Sequence, residues 1–235
     1  MMPKNIFQSH KSIDYVLDDM NLKKATQTWR KDKSFHYYFY DNKRCESFMR
    51  EKFSGKIYET YQKMPIPVMK ADLWRYCIIY HYGGIYADTD VIIKNTPSFY
   101  IKNNADMCIA CEYDGVPTFA QFFFAAKQNS PILKEIINTV VSNFEKYELN
   151  QFNYKLTHNT DTIVQHLTGP AAFTNGIESY LRRNNLKTHK TIPEYQGYDT
   201  NYLYVLKNDH FWNNTFHLCM GRFSGWRQDV INQKL

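Results

Sequence analysis

The chain has 235 residues and a formal charge of +6, with 43% hydrophobic and 17% aromatic residues. That apolar content builds a core and excludes disorder, and the dispersed Lys and Arg residues form none of the usual nucleic-acid-binding motifs. No apolar run reaches the ~20 residues that span a bilayer and no signal-peptide core opens the chain, so a soluble cytoplasmic protein is expected. Its mild positive field suits phosphate-bearing ligands or peripheral contact with an anionic membrane surface.

In chain order, KNIFQSH (4–10) reads as an opening strand and residues 14–30 as one helix. SFHYYFY (34–40) is rich in β-prone aromatics and reads as a strand, and Asp41 is placed to cap a helix running to about Phe53. Pro65 and Pro67 enter the next helix, on which Val68, Trp74, Cys77, Ile78 and Tyr82 recur at roughly helical spacing. Gly83 is suited to close it, because glycine accepts the left-handed conformation. Ile85–Ala87 then forms a short strand, and VII (91–93) a further extended stretch.

Strands are expected at 106–113 and 119–126, and a helix at 130–147 with Ser130 as cap and Pro131 in its first position. Residues 160–168 and 170–183 read as helical, with strands near 188–192 and 202–206; the stretch HLCMGRFSGW has no clear assignment. Cys108 and Cys111 form a CxxC inside an apolar strand, which favours core thiols over a metal or redox pair. Helices interleaved with strands indicate an α/β fold with a largely parallel sheet and ligands at the carboxyl ends of its strands.

The stretch YGGIYADTD (82–90) places Asp88 and Asp90 just past a strand end. In extended backbone the two carboxylates face one site and Thr89 faces away. Their repulsion is relieved by a divalent cation, and hard oxygen ligands suit Mg²⁺ or Mn²⁺, whose open positions take substrate phosphates. On the preceding helix Asp72 and Arg75 share a face. If the Gly83-Gly84 turn folds that face over the acids, Arg75 can grip phosphate oxygens and Asp72 sugar hydroxyls.

The run KADLWRYCIIYHYGGIYADTDV (70–91) resembles the signature of glycosyltransferase family 32, the DXD family of yeast-type initiating α-1,6-mannosyltransferases, bacterial capsule-sugar transferases and glucosylating toxin cores. MPKNIFQSH resembles that family's opening strand, with Phe7 in place of a His and His10 where a Trp is usual. AQFFFAAKQNSP, with Gln121 where Asn is common, LTGPAAFT (167–174) and Ser224-Gly225-Trp226 resemble later family elements.

The resemblance implies a single GT-A domain, with a nucleotide-sugar half over about 1–100 and an acceptor side with a closing segment over about 101–235. It implies a retaining hexosyltransferase using Mn²⁺ (or Mg²⁺), a UDP- or GDP-linked donor, and a glycan, lipid-linked or protein acceptor, as in polysaccharide biosynthesis. Asp90 is the expected principal metal ligand, Asp88 a bridge to metal and donor, and His217 a third ligand. Phe7, Gln8, Gly83, Gly84, Tyr86 and Gln121 fall on substrate-binding positions, and Ser224 and Trp226 on the segment that caps the diphosphate. Two rivals remain: a non-catalytic nucleotide-sugar-binding protein with a relic site, and an aspartyl-phosphate phosphatase. Against the phosphatase, Ile92 stands where Thr or Val usually follows the nucleophile.

Overall fold

The structure is a computed structural model, and it describes residues 1–112, 118–147 and 163–218. In chain order the elements are β1 (Asn5–Ser9), α1 (Ile13–Asp18), α2 (Met20–Trp29), β2 (His36–Tyr40), α3 (Asn42–Lys52), α4 (Lys56–Lys63), α5 (Pro67–Tyr82), β3 (Gly84–Ala87) and β4 (Val91–Ile93). There follow β5 (Met107–Cys111), β6 (Phe119–Ala126), α6 (Pro131–Lys146), α7 (Pro170–Arg183), β7 (Leu203–Leu206), α8 (Asn208–Trp212) and β8 (Thr215–His217).

Six strands form one sheet in the order β2-β1-β3-β6-β5-β7. β6 runs antiparallel to both its neighbours, and the pairs β1–β2, β1–β3 and β5–β7 are parallel. The expected mixed, mainly parallel α/β sheet is therefore present. Both faces are covered: Phe7 and Tyr86 pack on one side and Ile6 and Ile85 on the other, the period-2 alternation of strands enclosed by helices. A separate two-stranded ribbon pairs β4 with β8.

Several local expectations change. The helix expected at 14–30 is two helices, because Asp19 turns extended (φ −86°, ψ 113°) and its carboxylate caps the second through the N–H groups of Asn21 and Leu22. Asp41 does cap α3, accepting from the Arg44 N–H. Ser130 precedes α6 but its hydroxyl makes no cap bond. No strand occupies 188–192; Pro193, which has no N–H for a ladder, lies in a 3-10 turn over Ile192–Tyr195. Cys108 and Cys111 are buried free thiols in β5.

α5 positions the site. It enters at Pro67 and is buried from Asp72 through Ile79, so it is a core helix rather than an amphipathic surface one. Gly83 ends it with φ 65°, its N–H bonded to the Ile79 carbonyl. Gly84, at φ 118°, enters β3 so close to its neighbour that an added Cβ would lie 2.4 Å from the Asn5 carbonyl oxygen. The pair reverses the chain so that β3 lies beside β1, and its acids emerge at the carboxyl end of the sheet.

Candidate active site at the end of the third strand

The acids do not lie on extended backbone. Residues 88–91 form a turn closed by the Val91 N–H on the Asp88 carbonyl at 3.2 Å. The turn is held from three directions. The Asp88 N–H donates to Phe122 O on β6 at 2.9 Å, Gln8 Nε2 on β1 donates to Asp88 O at 2.9 Å, and the buried indole N–H of Trp29 donates to Val91 O at 2.7 Å. Thr89, expected to face away, lines the same cleft as both acids.

β8 supplies the third ligand candidate. Its antiparallel pairing sets His217 opposite Val91, and the Leu218 N–H bonds to Asp90 O at 3.0 Å. The imidazole then reaches Asp90 Oδ1 at 3.3 Å. One ligand atom each of Asp88, Asp90 and His217 lies within 4.8 Å of the others. Burial opposes the charged imidazole, but the hydrogen bond to Asp90 and the charges of Asp90 and Asp88 outweigh it and raise the His217 pKa. Two carboxylates and one imidazole suit a divalent cation of the Mn²⁺ or Mg²⁺ kind, so the donor set fits the ion expected of it.

Asp72 and Arg75 converge with the acids as expected. Arg75 bridges, with Nη2 3.2 Å from Asp72 Oδ1 and Nη1 3.1 Å from Asp88 Oδ1. Its guanidinium lies over the Tyr86 ring at 4.7 Å, and the Tyr86 hydroxyl donates to Asp88. Asp72 is 1% exposed. It takes a hydrogen bond from Thr168 Oγ1 at 2.8 Å on Oδ2 and one from Gln121 Nε2 at 3.3 Å on Oδ1. Burial raises its pKa to about 6 against the pull of Arg75, Thr168 and Gln121. Asp88 is also raised by burial and by Asp90, against Arg75.

A cleft of about 560 Å³ opens over this cluster, walled by the carboxyl end of β1, the start of α3, the first turns of α5 and the 88–90 turn. Tyr86, Arg75, Asp88 and Asp90 line it, with His10 stacked on Tyr15 at 4.7 Å along one side. Other expected substrate contacts have different places. Phe7 is buried between Tyr38 and Tyr82, with ring centroids 5.1 and 5.9 Å away. Gly83 and Gly84 lie at the opposite end of β3, packed on Pro3 and Asn5. Gln8 and Gln121 reach the site through Asp88 and Asp72. Ser224 and Trp226 lie outside the described residues.

Residues 19–110 match the family model described as a glycosyltransferase sugar-binding region containing a DXD motif. This segment is a DXD glycosyltransferase region. The DXD of that region is Asp88-Thr89-Asp90, and the Asp72–Arg75 pair lies within the same match. The chain is 26% identical over 209 residues to the initiation-specific α-1,6-mannosyltransferase of Candida albicans, covering 78% of this chain and 54% of that protein. It is 29% identical over 201 residues to the enzyme of the same name from Schizosaccharomyces pombe, covering 77% and 49%. The chain thus spans about half the length of these curated relatives. Among solved structures, the PaToxG glycosyltransferase superposes with a TM-score of 0.54 at 20% identity, over 77% of this chain and 70% of that one. The DXD region therefore sits in a glycosyltransferase fold of the GT-A type. No helix among the described residues is long and apolar enough to cross a membrane.

Sequence reasoning missed two residues that hold this site, Tyr37, which donates to Gln8 Oε1 at 2.9 Å, and Tyr76; Trp29 and Thr168, the latter inside the family-like stretch LTGPAAFT, hold it as well. Tyr76 is buried but directs its hydroxyl to Gln121 and to Thr168 O. For Tyr76 the signal was its spacing from Asp72, one helical turn.

Proposed function

We propose that the chain carries the catalytic site of a metal-dependent, retaining glycosyltransferase. It moves a hexose from a UDP- or GDP-linked donor to a glycan, lipid-linked or protein acceptor. The observation that carries this reading is the meeting of Arg75 with the Asp88, Asp90 and His217 cluster, whose two acids line one cleft together with Arg75. The printed names of the mannosyltransferase relatives support a hexose as the group moved. Retention of configuration enters from the family resemblance.

Asp88, Asp90 and His217 would hold Mn²⁺ or Mg²⁺, which when bound neutralises charge on the donor's diphosphate as the nucleotide departs. Arg75 presents a fixed cation to the same oxygens, and its partners Asp72 and Asp88 stop it from turning away. Asp72 acts as a positioning residue in this scheme, anchored by Thr168 and Gln121. Tyr86 stays a neutral donor, because burial holds its pKa well above the usual phenol value.

The test is release of UDP or GDP from a panel of nucleotide sugars, with and without Mn²⁺, for wild type and Asp90→Ala. Metal-dependent release from one donor, lost in the variant, supports the transferase. Calorimetric binding of a donor with no release, even with simple sugars offered as acceptors, supports the relic-site binding protein in its place.

A further inference from the structure

Family resemblance sets Gln8 among the donor contacts, yet its side chain is fully buried, and the cleft wall at that end of β1 is made by Ser9 and His10 instead. The Gln8 amide is engaged inside the protein. Nε2 donates to Asp88 O at 2.9 Å, and Oε1 accepts from the Tyr37 hydroxyl at 2.9 Å. A carbonyl oxygen only accepts, so Nε2 has to face Asp88. A hydroxyl can donate or accept, and here Tyr37 donates. With the amide flipped, Oε1 would oppose a second oxygen and the Tyr37 proton would lose its acceptor, an error that burial makes costly. Burial also pushes the Tyr37 pKa up to about 12, so the hydroxyl keeps its proton at neutral pH.

The end point of this chain of bonds gives it a role. Asp88 O belongs to the peptide plane between Asp88 and Thr89, the first link from one acid to the other. The Asp88 N–H is fixed by Phe122 O on the preceding plane, which leaves the following plane to Gln8 and to the longer Val91 N–H contact at 3.2 Å. At the far end of the turn the Trp29 indole holds Val91 O at 2.7 Å. We propose that Gln8 and Tyr37 are positioning residues for the cation site: Tyr37 orients the Gln8 amide, and the amide sets the peptide plane that fixes the spacing of Asp88 and Asp90. The inference rests on the reading of Asp88, Asp90 and His217 as metal ligands, and it replaces a donor contact by a support behind them. Partners of this kind, one step behind a ligand, tune metal affinity without touching the ion. Gln121 repeats the arrangement on the other side of Arg75, its Oε1 taking the Tyr76 hydroxyl and its Nε2 donating to Asp72 Oδ1.

Mn²⁺ calorimetry on the whole chain tests this, with thermal melts in metal-free buffer to show that each variant folds. Gln8→Met keeps the side-chain length and removes both bonds, and it should weaken Mn²⁺ binding by about tenfold or more. Tyr37→Phe keeps the ring and frees the amide to turn, and it should weaken binding in the same direction. The variant carrying both changes separates positioning from general loosening. If Tyr37 acts only through the amide, Tyr37→Phe adds nothing to Gln8→Met. Tyr38→Phe removes the neighbouring hydroxyl of β2, on a ring stacked with Phe7 away from Gln8, and should leave the affinity unchanged. Wild-type affinity in either single variant, losses that add in the double variant, or an equal loss in Tyr38→Phe overturns the positioning role and leaves the metal site standing. No Mn²⁺ binding by the wild type overturns both.

Discussion

Replacing Thr168 by Val keeps the side-chain shape and removes the hydroxyl that donates to Asp72 Oδ2 at 2.8 Å. Both residues are buried, at 0% and 1% exposure, so no water takes over the bond. A hydrogen bond to a buried charge contributes about 1.5–3 kcal/mol, and its loss should lower the melting temperature by roughly 4–8 °C for a chain of this size. The size of the loss depends on pH. Asp72 has its folded-state pKa raised from 3.8 to about 6. The folded protein therefore binds the extra proton, and the stability linked to this group falls as pH rises through the window between those values. The Thr168 bond favours the ionised form and limits that fall. Its removal should cost little at pH 5, where folded Asp72 is largely protonated, and the full amount at pH 8. Urea unfolding of Thr168→Val at the two pH values measures this, and Thr168→Ser should restore the wild-type value. An equal loss at pH 5 and pH 8 would refute the reasoning, because it would trace the effect to packing rather than to the carboxylate.

His217→Ala should weaken Mn²⁺ binding by about tenfold or more, read by calorimetry; an unchanged affinity removes His217 from the ligand set. In the wild type, Mn²⁺ must displace the imidazole proton that Asp90 and Asp88 help retain. Affinity should therefore fall as the pH is lowered through the raised His217 pKa, with proton release detectable as a buffer-dependent heat. Arg75→Lys should cut kcat/KM by about 100-fold, because one ammonium cannot span Asp72 and Asp88 and still face the diphosphate; activity near wild type would show that point charge alone suffices. Gly84→Ala combines a φ of 118° with a Cβ 2.4 Å from Asn5 O. It should cost more than about 2 kcal/mol, and a melt within a few degrees of wild type would contradict the close approach of β1 and β3.

The sheet and α5 were legible because local chemistry and tertiary placement agree there. The Gly83-Gly84 reversal, Asp41 as a cap, and the apolar run of β6 all mean in the fold what they mean in isolation. The convergence of Asp72 and Arg75 on the acids also followed from the turn. The path of the acids themselves did not, because the turn at 88–91 depends on bonds from Gln8, Trp29 and Phe122, which are remote in sequence. His217 could be named only by resemblance, since its place comes from pairing with β4. Tyr76 gave little signal, and Thr168 none beyond the likeness of LTGPAAFT to a family element, because a buried hydroxyl looks like core until its partner is known. Phe7 followed the family position of a polar residue, but an apolar ring at that place packs between two tyrosines.

The β4–β8 ribbon gives the cation a second consequence. Asp88 and Asp90 stand before β4, and His217 closes β8, so an ion shared by the three would tie together segments that are far apart in sequence. Such a tie removes the freedom of a long loop, and the entropy of closing a loop grows with its length. Metal binding would then be linked to docking of β8 on β4. Protection of the β8 amides from hydrogen exchange should rise with Mn²⁺ concentration, and the ribbon would report on occupancy of the site without any turnover.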